Sequence, residues 1–445
     1  MDFGAAVLRA GLDEQLPAAA TGLVVGLSGG GDSACLLAAL AAMRPLRDLP
    51  LRAVHVDHGL QSGAEGFRQA CIEQCRRLEI PLSLIGVRVE TGPGISIEAA
   101  ARDARYRGFA LELRTGECLL TAHHAGDQAE TVLLQLLRGA GLKGLAAMPP
   151  IRPFAGGWHV RPLLEVARAD LLAFGAAAGV VGVEDPMNLD LRFERSYLRA
   201  QLWPLIEARW PGAGGALART ARHLAEAQQL LDEAAARSVE RLRDGEALSV
   251  SGLRALPRRE QVNVLRHWLA SRGGAAPPSA RLGEGLRQML SASSDHLPAI
   301  VWGAHALRRY RERLFVTAAA VPAIGAAREW PIAPGAEFIL GAGLGRLRWV
   351  ALRGGLDPAR LPARLRVGRR QGGETMKIHP QAKTHSVQHL CQSIGVLPWM
   401  RDALPLLHAG EALVAVGDLW QDARWCVAAG EPGFGCEWLD APIMV

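Results

Sequence analysis

The stretch from residue 21 to residue 40 constrains the fold of this chain more than any other. Residues 21–27 form a short apolar run typical of a buried strand, and residues 34–42 form an Ala/Leu-rich run typical of a helix. The sequence SGGGDS (28–33) lies between them. Glycines let backbone N–H groups approach an anion, and the first turn of a helix leaves N–H donors free. The stretch therefore predicts a phosphate-binding loop between a strand and a helix.

Asp32 is an unexpected residue in a loop that binds an anion. A carboxylate suits this position if Mg²⁺ is bound together with the phosphates, because oxygen ligands are those that Mg²⁺ prefers. The loop lacks the lysine of the GxxxxGK[ST] pattern, which excludes a kinase or GTPase of that type. The alternative is a glycine-rich turn that only joins a strand to a helix.

Two more polar loops follow predicted strands. The strand at 51–57 ends in HVDHG (55–59), and the strand at 117–122 is followed by HHAGDQ (123–128). A helix is then expected at 131–138. Alternating strands and helices predict an α/β fold, with a parallel sheet that has helices on both faces. Ligands in such sheets lie at the carboxyl ends of the strands. We therefore expect the three loops to meet in one crevice, the alternative being three unrelated polar loops.

The length of 445 residues predicts roughly three domains. We expect an α/β catalytic domain at 1–215 and, after it, a linker helix at 216–247 that is rich in Ala, Glu, Gln and Arg. A helical middle domain is predicted at 248–320. A Pro/Ala-rich stretch separates it from a small α+β domain at 335–445.

The composition is that of an ordinary globular protein, with 49% hydrophobic and 21% charged residues. The seven cysteines are scattered and form no CxxC pair, so we expect buried thiols rather than a disulfide framework or a zinc site. The sequence contains no signal-peptide pattern and no apolar run long enough to cross a bilayer. These features predict a cytoplasmic protein.

The positive charge is concentrated in clusters of arginine. The net charge is +6, and the clusters lie at 308–313 and 360–370. Such clusters suit a polyanion such as nucleic acid. Solvated loop charge is the alternative for each cluster.

Several segments resemble the N-type ATP pyrophosphatase (PP-loop) family and, within it, the tRNA(Ile)-lysidine synthetases. The resemblance rests on SGGGDS (28–33), HVDHGL (55–60), EAAARDARY (98–106) and TAHHAGDQAETVLLQLLRGAGLKGL (121–145), and continues through 188–199, 366–376 and 396–420. SGGxDS alone indicates only the superfamily. The HHxxDQxET block together with the C-terminal PWxRDxxPLL block is more specific.

This resemblance implies an ATP-dependent ligase that acts on tRNA(Ile) with a CAU anticodon. ATP would adenylylate the C2 carbonyl oxygen of the wobble cytidine and release pyrophosphate, and the ε-amine of free L-lysine would then attack C2 and expel AMP. The implied cofactors are ATP and Mg²⁺, with L-lysine as co-substrate. The middle and C-terminal domains are expected to bind the tRNA, and a homodimer is left open.

The resemblance also implies roles for individual residues. The expected catalytic residues are Asp32, His123, Asp127, Arg102 and Arg195. The expected ATP-binding residues are Ser28, Gly29, Gly30, Gly31, Asp32, Ser33, His55, Asp57 and His58, with Asp32 also on Mg²⁺. Asp127 and Glu130 are expected to bind lysine. The expected tRNA-binding residues are Arg105, Arg199, Arg366, Arg369, Arg370 and Lys383.

The lysine ε-ammonium must lose a proton before it attacks, and we expect Asp127, with His123, to accept that proton. A helix cap is the alternative role for Asp127. Surface charge on a helix is the alternative for Arg195 and Arg199.

The chain departs from the family pattern in three places. Gly126 replaces the first acid of HHxDDQ, Ser196 replaces a usual asparagine, and KTHS (383–386) stands in place of a Lys-rich stretch. Two other functions are kept as alternatives. One is a related PP-loop tRNA thiolase, and the other is a tRNA-binding homologue that has lost catalysis.

Overall fold

The computed structural model describes residues 5–43, 48–57, 59, 64–90, 97–183, 190–272, 277, 279–292 and 297–442. The chain divides into two compact units, Met1–Leu231 and Asp232–Val445.

The first unit alternates strands and helices along the chain. Its strands are β1 (Gly22–Gly26), β2 (Leu51–Asp57), β3 (Leu82–Gly86), β4 (Glu117–Leu120), β5 (Ile151–Phe154) and β6 (Gly157–Val160). Its helices are α1 (Ala5–Gln15), α2 (Gly31–Ala42), α3 (Ala64–Leu78), α4 (Ile97–Glu112), α5 (Ala125–Leu137), α6 (Leu142–Leu145) and α7 (Arg168–Ala177), followed by α8 (Glu194–Tyr197), a π-helix (Leu198–Leu202) and α9 (Trp203–Arg209).

The described strands of this unit form one sheet in the order β3-β2-β1-β4-β6-β5. Neighbouring strands are parallel except for the antiparallel pair β5–β6. The chain leaves β1 toward β2 on one side and later returns to β4 on the other side. The carboxyl ends of β1 and β4 therefore lie side by side at the point where the strand order reverses, which is where such sheets bind ligands.

Both faces of this sheet are covered, as predicted for a doubly wound α/β fold. Leu23 and Val25 of β1 pack into one apolar cluster with α1, α2 and α3. Val24, between them, packs into a second cluster with Phe109 of α4. Alternate residues of a strand point to opposite faces, so a strand buried on both faces is a continuous apolar run.

A long helix, α10 (Ala213–Leu242), runs across the boundary between the two units. It corresponds to the linker helix predicted at 216–247.

The second unit begins with helices α11 (Val250–Arg254), α12 (Arg258–Ser271) and α13 (Ser279–Ser291). These accompany an antiparallel sheet in the order β7-β8-β11-β10-β9. The strands are β7 (Arg243–Asp244), β8 (Ala247–Ser249), β9 (Ala299–Trp302), β10 (His305–Tyr310) and β11 (Arg313–Ala318). The prediction of a helical middle domain missed this sheet. The arginines at 308–313 hide the alternating pattern of the strands, because Arg309 is buried and donates to the carbonyl oxygens of Met289 and Ala292.

The remainder of the second unit is α+β, as predicted. One sheet has the order β12-β15-β18-β19-β20, another β13-β14-β21, and β16 pairs with β17. The strands are β12 (Arg328–Pro331), β13 (Glu337–Gly341), β14 (Gly345–Arg353), β15 (Arg364–Gly368), β16 (Thr375–Met376), β17 (His385–Ser386), β18 (Leu406–Ala409), β19 (Ala412–Val416), β20 (Trp420–Gln421) and β21 (Pro432–Leu439). Helix α14 (Val387–Ile394) and two 3₁₀ helices (Pro398–Ala403, Ala423–Trp425) complete it. Trp330 and Trp349 stack in its core with ring centroids 4.4 Å apart.

Within the described part of the chain, no helix combines the length and apolar character needed to cross a membrane. All seven cysteines are free thiols, and six of them are buried. Burial raises the pKa of Cys71 to about 12 and that of Cys75 to about 11.

A buried ion pair fastens the amino-terminal ends of the central strands. Arg52 of β2 reaches across β1 and donates to both carboxylate oxygens of Glu117, at 3.0 and 2.6 Å, and to Glu112 at 3.0 Å. Gly22, which pairs with Glu117, leaves room for this crossing. Burial raises the pKa of Glu117, but the hydrogen bonds from Arg52 and from the Arg114 N–H lower it by more than burial raises it. The carboxyl group therefore stays ionised.

We expect Arg52→Met to lower the free energy of unfolding by about 3 kcal/mol, because it leaves the Glu117 carboxylate buried without its partner. Urea unfolding of the full chain measures this change. The matched control is Arg76→Met, which removes an exposed pair with Glu73 and should leave the unfolding midpoint unchanged. Equal midpoints for the two variants would contradict the assignment of Arg52 as a structural clamp.

Candidate active site

The predicted phosphate loop joins the end of β1 to the start of α2. Gly29 has φ +86°, and a Cβ there would lie 2.9 Å from the carbonyl oxygen of Phe67, so only glycine fits. Gly30 is the N-cap of α2 and offers no side-chain acceptor, so the first-turn N–H groups keep their capacity to bind an anion.

The two loop hydroxyls bond within the loop. The Ser33 hydroxyl donates to the Gly30 carbonyl at 3.0 Å and accepts from the Ser28 N–H at 3.1 Å. The two serine oxygens lie 3.0 Å apart. These hydrogen bonds of Ser28 and Ser33 stabilise the conformation of the loop.

Asp32 lies in the first turn of α2 with its side chain about one-third exposed. Its carboxylate accepts from Arg168 Nε at 3.3 Å, and its other oxygen is 3.9 Å from His124 Nε2. One accessible carboxylate next to a phosphate loop fits Mg²⁺, which takes most of its remaining ligands from phosphates and water.

The residues at the carboxyl end of β2 have structural contacts of their own. The His55 side chain is buried, with Nδ1 2.9 Å from the carbonyl oxygen of Leu27, directly before the phosphate loop. The Asp57 carboxylate accepts from the Gly59 N–H at 2.9 Å. His58 lies outside the described residues.

Helix α5 starts at Ala125, six residues earlier than the prediction of a helix from Thr131. His124 is the N-cap, and its Nδ1 accepts from the N–H groups of Gly126 (3.0 Å) and Asp127 (3.4 Å). In return, the Asp127 carboxylate accepts from the His124 N–H at 3.0 Å. This reciprocal capping box stabilises a first turn whose glycine and aspartate are typical of a loop. Asp127 thus caps the helix, which was given above as the alternative to its role as a proton acceptor.

The sequence analysis missed His124, although the His-x-x-Asp spacing of a capping box was its signal. Because Nδ1 accepts two hydrogen bonds, the ring hydrogen is on Nε2. Nε2 is 3.5 Å from Asp127 and 3.9 Å from Asp32, so His124 bridges the phosphate loop and α5. A Cβ at Gly126 would lie 2.8 Å from His124 Cε1. The glycine at this position therefore makes room for the capping ring.

Arg199 binds both carboxylates that were predicted to hold lysine. Its Nε and Nη2 donate to Glu130 at 2.7 and 2.9 Å, and Nη2 also contacts Asp127 at 3.3 Å. Arg199 lies on the π-helix, a form often found at functional sites. Arg195, one turn earlier, donates to the Thr131 hydroxyl at 2.9 Å. The structure therefore places Arg199, which was expected to bind tRNA, against the two carboxylates that were expected to bind lysine.

Burial and the charge around Asp127 determine its protonation. Burial raises the pKa of Asp127. His124, His123, the His124 backbone N–H and Arg199 lower it by more than burial raises it, so the net pKa is below its ordinary value. Asp127 is therefore ionised at neutral pH.

His123 faces a group of cations. Burial lowers its pKa, as do Arg161, Arg102 and Arg195, while Asp127 opposes them, and the result is a pKa of about 3. Arg102 lies over the ring of Tyr106, 5.0 Å from its centroid. Arg105, on the same helix α4, is half-buried. The predicted catalytic residues of the first unit are thus close together.

The other predicted tRNA-binding residues lie in the second unit. Arg366 and the exposed Arg369 line a cleft of about 560 Å³ together with Gln371 and His408. Lys383 is exposed as well. Arg370 is largely buried, with Nε 3.6 Å from a Glu374 carboxylate oxygen, so it supports the cleft from within.

Comparisons with known proteins identify the family. A PP-loop domain family matches residues 8–206, the TilS substrate binding domain matches 248–315, and the TilS substrate C-terminal domain matches 365–438. A tRNA(Ile)-lysidine synthase from Alkalilimnicola ehrlichii is 41% identical over 92% of both chains. The chain belongs to the tRNA(Ile)-lysidine synthase family. Proteins of the same name from Ralstonia nicotianae and Pseudomonas aeruginosa are both 40% identical, over 94% and 90% of this chain and 93% and 90% of their own.

Solved structures resemble the chain more weakly. The U34-tRNA thiolase NcsA from Methanococcus maripaludis is 16% identical, with a TM-score of 0.41 over 49% of this chain and 78% of its own. A TILS C-terminal domain is 17% identical, with a TM-score of 0.22 over 26% of this chain and 98% of its own. These scores are too low to support any inference.

We expect His124→Ala to lower the free energy of unfolding by about 1 kcal/mol, because the first turn of α5 loses its cap. His124→Asn should recover most of that loss, since asparagine is a good N-cap. Urea unfolding of the two variants makes the comparison. If asparagine is as destabilising as alanine, ring packing rather than capping explains the role of His124 in stability.

Proposed function

We propose that this member of the family joins L-lysine to C2 of the wobble cytidine in an isoleucine tRNA with a CAU anticodon. ATP first adenylylates the C2 carbonyl oxygen and releases pyrophosphate. The ε-amine of lysine then attacks C2, the C2–O bond breaks, and AMP leaves with that oxygen. One observation carries this proposal: the glycine loop after β1 lies beside the partly buried carboxylate of Asp127 and the buried carboxylate of Glu130 after β4.

The phosphate loop is proposed to hold the β- and γ-phosphates of ATP. The N–H groups at the start of α2 supply donors, and the positive end of the helix favours the negative charge. Asp32 would hold Mg²⁺, which supplies positive charge that offsets the charge of the phosphates. His55, Asp57 and His58 are proposed to lie along the adenosine side of the site.

The carboxylates of Asp127 and Glu130 are proposed to bind the lysine ε-ammonium. Arg199 occupies both of them, which supports a site that selects a cation carrying N–H donors. Asp127 accepts the proton that the ammonium must lose before the nitrogen attacks C2.

Arginines in the crevice are proposed to offset the charge that develops during adenylylation. Both Arg102 and Arg195 lower the pKa of His123, and Arg195 donates to Thr131 on α5, the helix that carries Asp127. Positively charged donors held in place before the reaction stabilise a transferring phosphoryl group without reorganising during it.

The second unit is proposed to bind the body of the tRNA. Arg366 and Arg369 line a cleft and would contact backbone phosphates there, and Lys383 would add a contact. Arg105 is proposed to contact the tRNA from the first unit. Phosphate contacts release counterions, so binding should weaken as salt increases. The domain boundaries, a cytoplasmic location and a homodimer remain predictions.

The thiolase alternative is disfavoured by the cysteines. A thiol that carries sulfur must be accessible and readily ionised, whereas burial raises the pKa of Cys71 to about 12.

The test of the proposed function is incorporation of radiolabelled L-lysine into an isoleucine tRNA transcript with a CAU anticodon. We expect label that requires ATP and disappears when the wobble cytidine is replaced by uridine. Asp127→Asn should reduce the rate at least about a hundredfold, because it keeps a capping oxygen but cannot accept a proton. The matched control is Asp103→Asn, an exposed acid on α4, which should be neutral.

Two results would contradict the proposal. ATP consumption without label would discard lysine as the nucleophile, and the absence of both would favour the non-catalytic homologue.

We expect Arg369→Ala to weaken tRNA binding and to leave ATP binding unchanged. The loss of one phosphate contact should also reduce the slope of log affinity against log salt by about 1. The control is Arg353→Ala, an exposed arginine on β14 in a different sheet of the same unit. Fluorescence titration with labelled tRNA at several salt concentrations measures the tRNA affinity and its salt slope, and a separate titration with ATP measures ATP binding. Equal losses in the two variants would count against the cleft as a tRNA site.

A further inference from the structure

A chain of hydrogen bonds runs behind His123 across the ends of β4 and β6. The Thr121 hydroxyl, directly after β4, is 2.7 Å from His123 Nδ1 and 2.8 Å from His159 Nε2. His159 Nδ1 is 3.1 Å from Arg161 Nη2 and 3.4 Å from Arg152 Nε. Thr121 and His159 are buried, and Arg161 is anchored to the Pro149 carbonyl at 2.7 Å.

The direction of each hydrogen bond follows from the arginines. A guanidinium group only donates, so His159 Nδ1 must accept, and the hydrogen of the neutral ring is on Nε2. His159 Nε2 then donates to the Thr121 oxygen. Among the described residues, the Thr121 hydroxyl contacts only these two imidazole rings, so His123 Nδ1 is the acceptor available for its hydrogen.

This direction determines the tautomer of His123. A neutral imidazole whose Nδ1 accepts a hydrogen bond carries its hydrogen on Nε2. Nε2 is then a donor and has no lone pair with which to take a proton.

We propose that Thr121, His159 and Arg161 hold His123 as the neutral Nε2–H tautomer, so that in the proposed reaction His123 donates a hydrogen bond and does not act as a base. This inference rests on the proposed function. It reassigns the proton transfer that the sequence analysis shared between Asp127 and His123. The lysine proton goes to the Asp127 carboxylate alone, and no proton moves to or from His123. The Nε2–H group donates to an oxygen that carries negative charge, on the phosphoryl group or on C2 of the cytidine.

The surroundings of both rings support their neutral state. Burial, Arg161 and Arg152 lower the pKa of His159 to about 2. Burial lowers the pKa of His123, Asp127 on α5 opposes it, and Arg161 after β6, Arg102 on α4 and Arg195 on α8 lower the pKa again, to about 3. Both rings therefore stay neutral throughout the physiological pH range.

In this arrangement Thr121, His159 and Arg161 are positioning residues, because they act through His123. A preset donor suits a group that must stabilise charge on oxygen without reorganising. Removing the threonine hydroxyl would free the ring to adopt the other tautomer.

The decisive experiment is NMR of the full chain labelled with ¹⁵N-histidine. Long-range ¹H–¹⁵N correlations distinguish a protonated ring nitrogen from an accepting one, and a His123→Gln sample identifies the His123 signals. We expect the wild-type ring to be the neutral Nε2–H tautomer from pH 5 to pH 8. Detection of the Nδ1–H tautomer or of imidazolium in that range would overturn the proposal.

Variants at Thr121 connect the tautomer to the reaction. Thr121→Val should give a mixture of tautomers and lower kcat for lysine incorporation about tenfold, the effect of one lost hydrogen bond, with little change in KM for lysine. Thr121→Ser keeps the hydroxyl and should restore both the single tautomer and the rate. A rate loss in Thr121→Val with an unchanged His123 spectrum would contradict the relay.

The NMR spectrum tests the tautomer of His123, and lysine incorporation tests the proposed function, so each proposal can be refuted separately. Wild-type enzyme that incorporates lysine but shows the Nδ1–H tautomer refutes this inference alone. Wild-type enzyme that shows the Nε2–H tautomer but incorporates no lysine refutes the proposed function, and the tautomer assignment stands. If Thr121→Val does not fold, the wild-type spectrum still decides.

Discussion

The parallel pairing of β1 with β4 is the constraint on which the rest of the site depends. Val24 pairs with Leu119 and Val25 with Leu120, so both strands end at the same edge of the sheet. The strand pairing alone therefore brings the phosphate loop that follows β1 next to the histidine pair that follows β4. His124 completes the connection by capping α5 with one ring nitrogen and directing the other toward Asp127 and Asp32. One secondary-structure junction thus joins the expected site of phosphate binding to the expected site of lysine binding.

The charges in the crevice form two groups. Asp127 and Glu130 contact the Arg199 guanidinium, whereas burial, together with Arg161, Arg102 and Arg195, lowers the pKa of His123 and keeps it neutral. A carboxylate that stays ionised and an imidazole that stays neutral lie four residues apart, because their partners come from different elements. Such opposed environments allow one site to bind an ammonium group and to donate to an oxyanion.

Much of the fold and part of the site could be predicted from the sequence. The alternation of apolar runs predicts the parallel sheet, and the position of SGGGDS and HHAGDQ after strands predicts a shared crevice. The antiparallel sheet formed by β7–β11 was not predictable in this way, because Arg309 is a buried residue of a strand and its charge resembles that of a surface loop. The start of α5 was also missed, since Gly126 and Asp127 favour a loop until His124 caps the helix.

The sequence by itself determined the class of sheet, the phosphate loop and the set of acids and arginines available for chemistry, because these depend on local periodicity and on residue type. Only the tertiary structure decided which of them are partners. It joined Arg199 to Glu130 and Arg52 to Glu117, and it brought His159 and Arg161 behind His123. Partners of this kind come from distant parts of the chain, so the tautomer of a histidine is set by a fold and cannot be deduced from its neighbours in sequence.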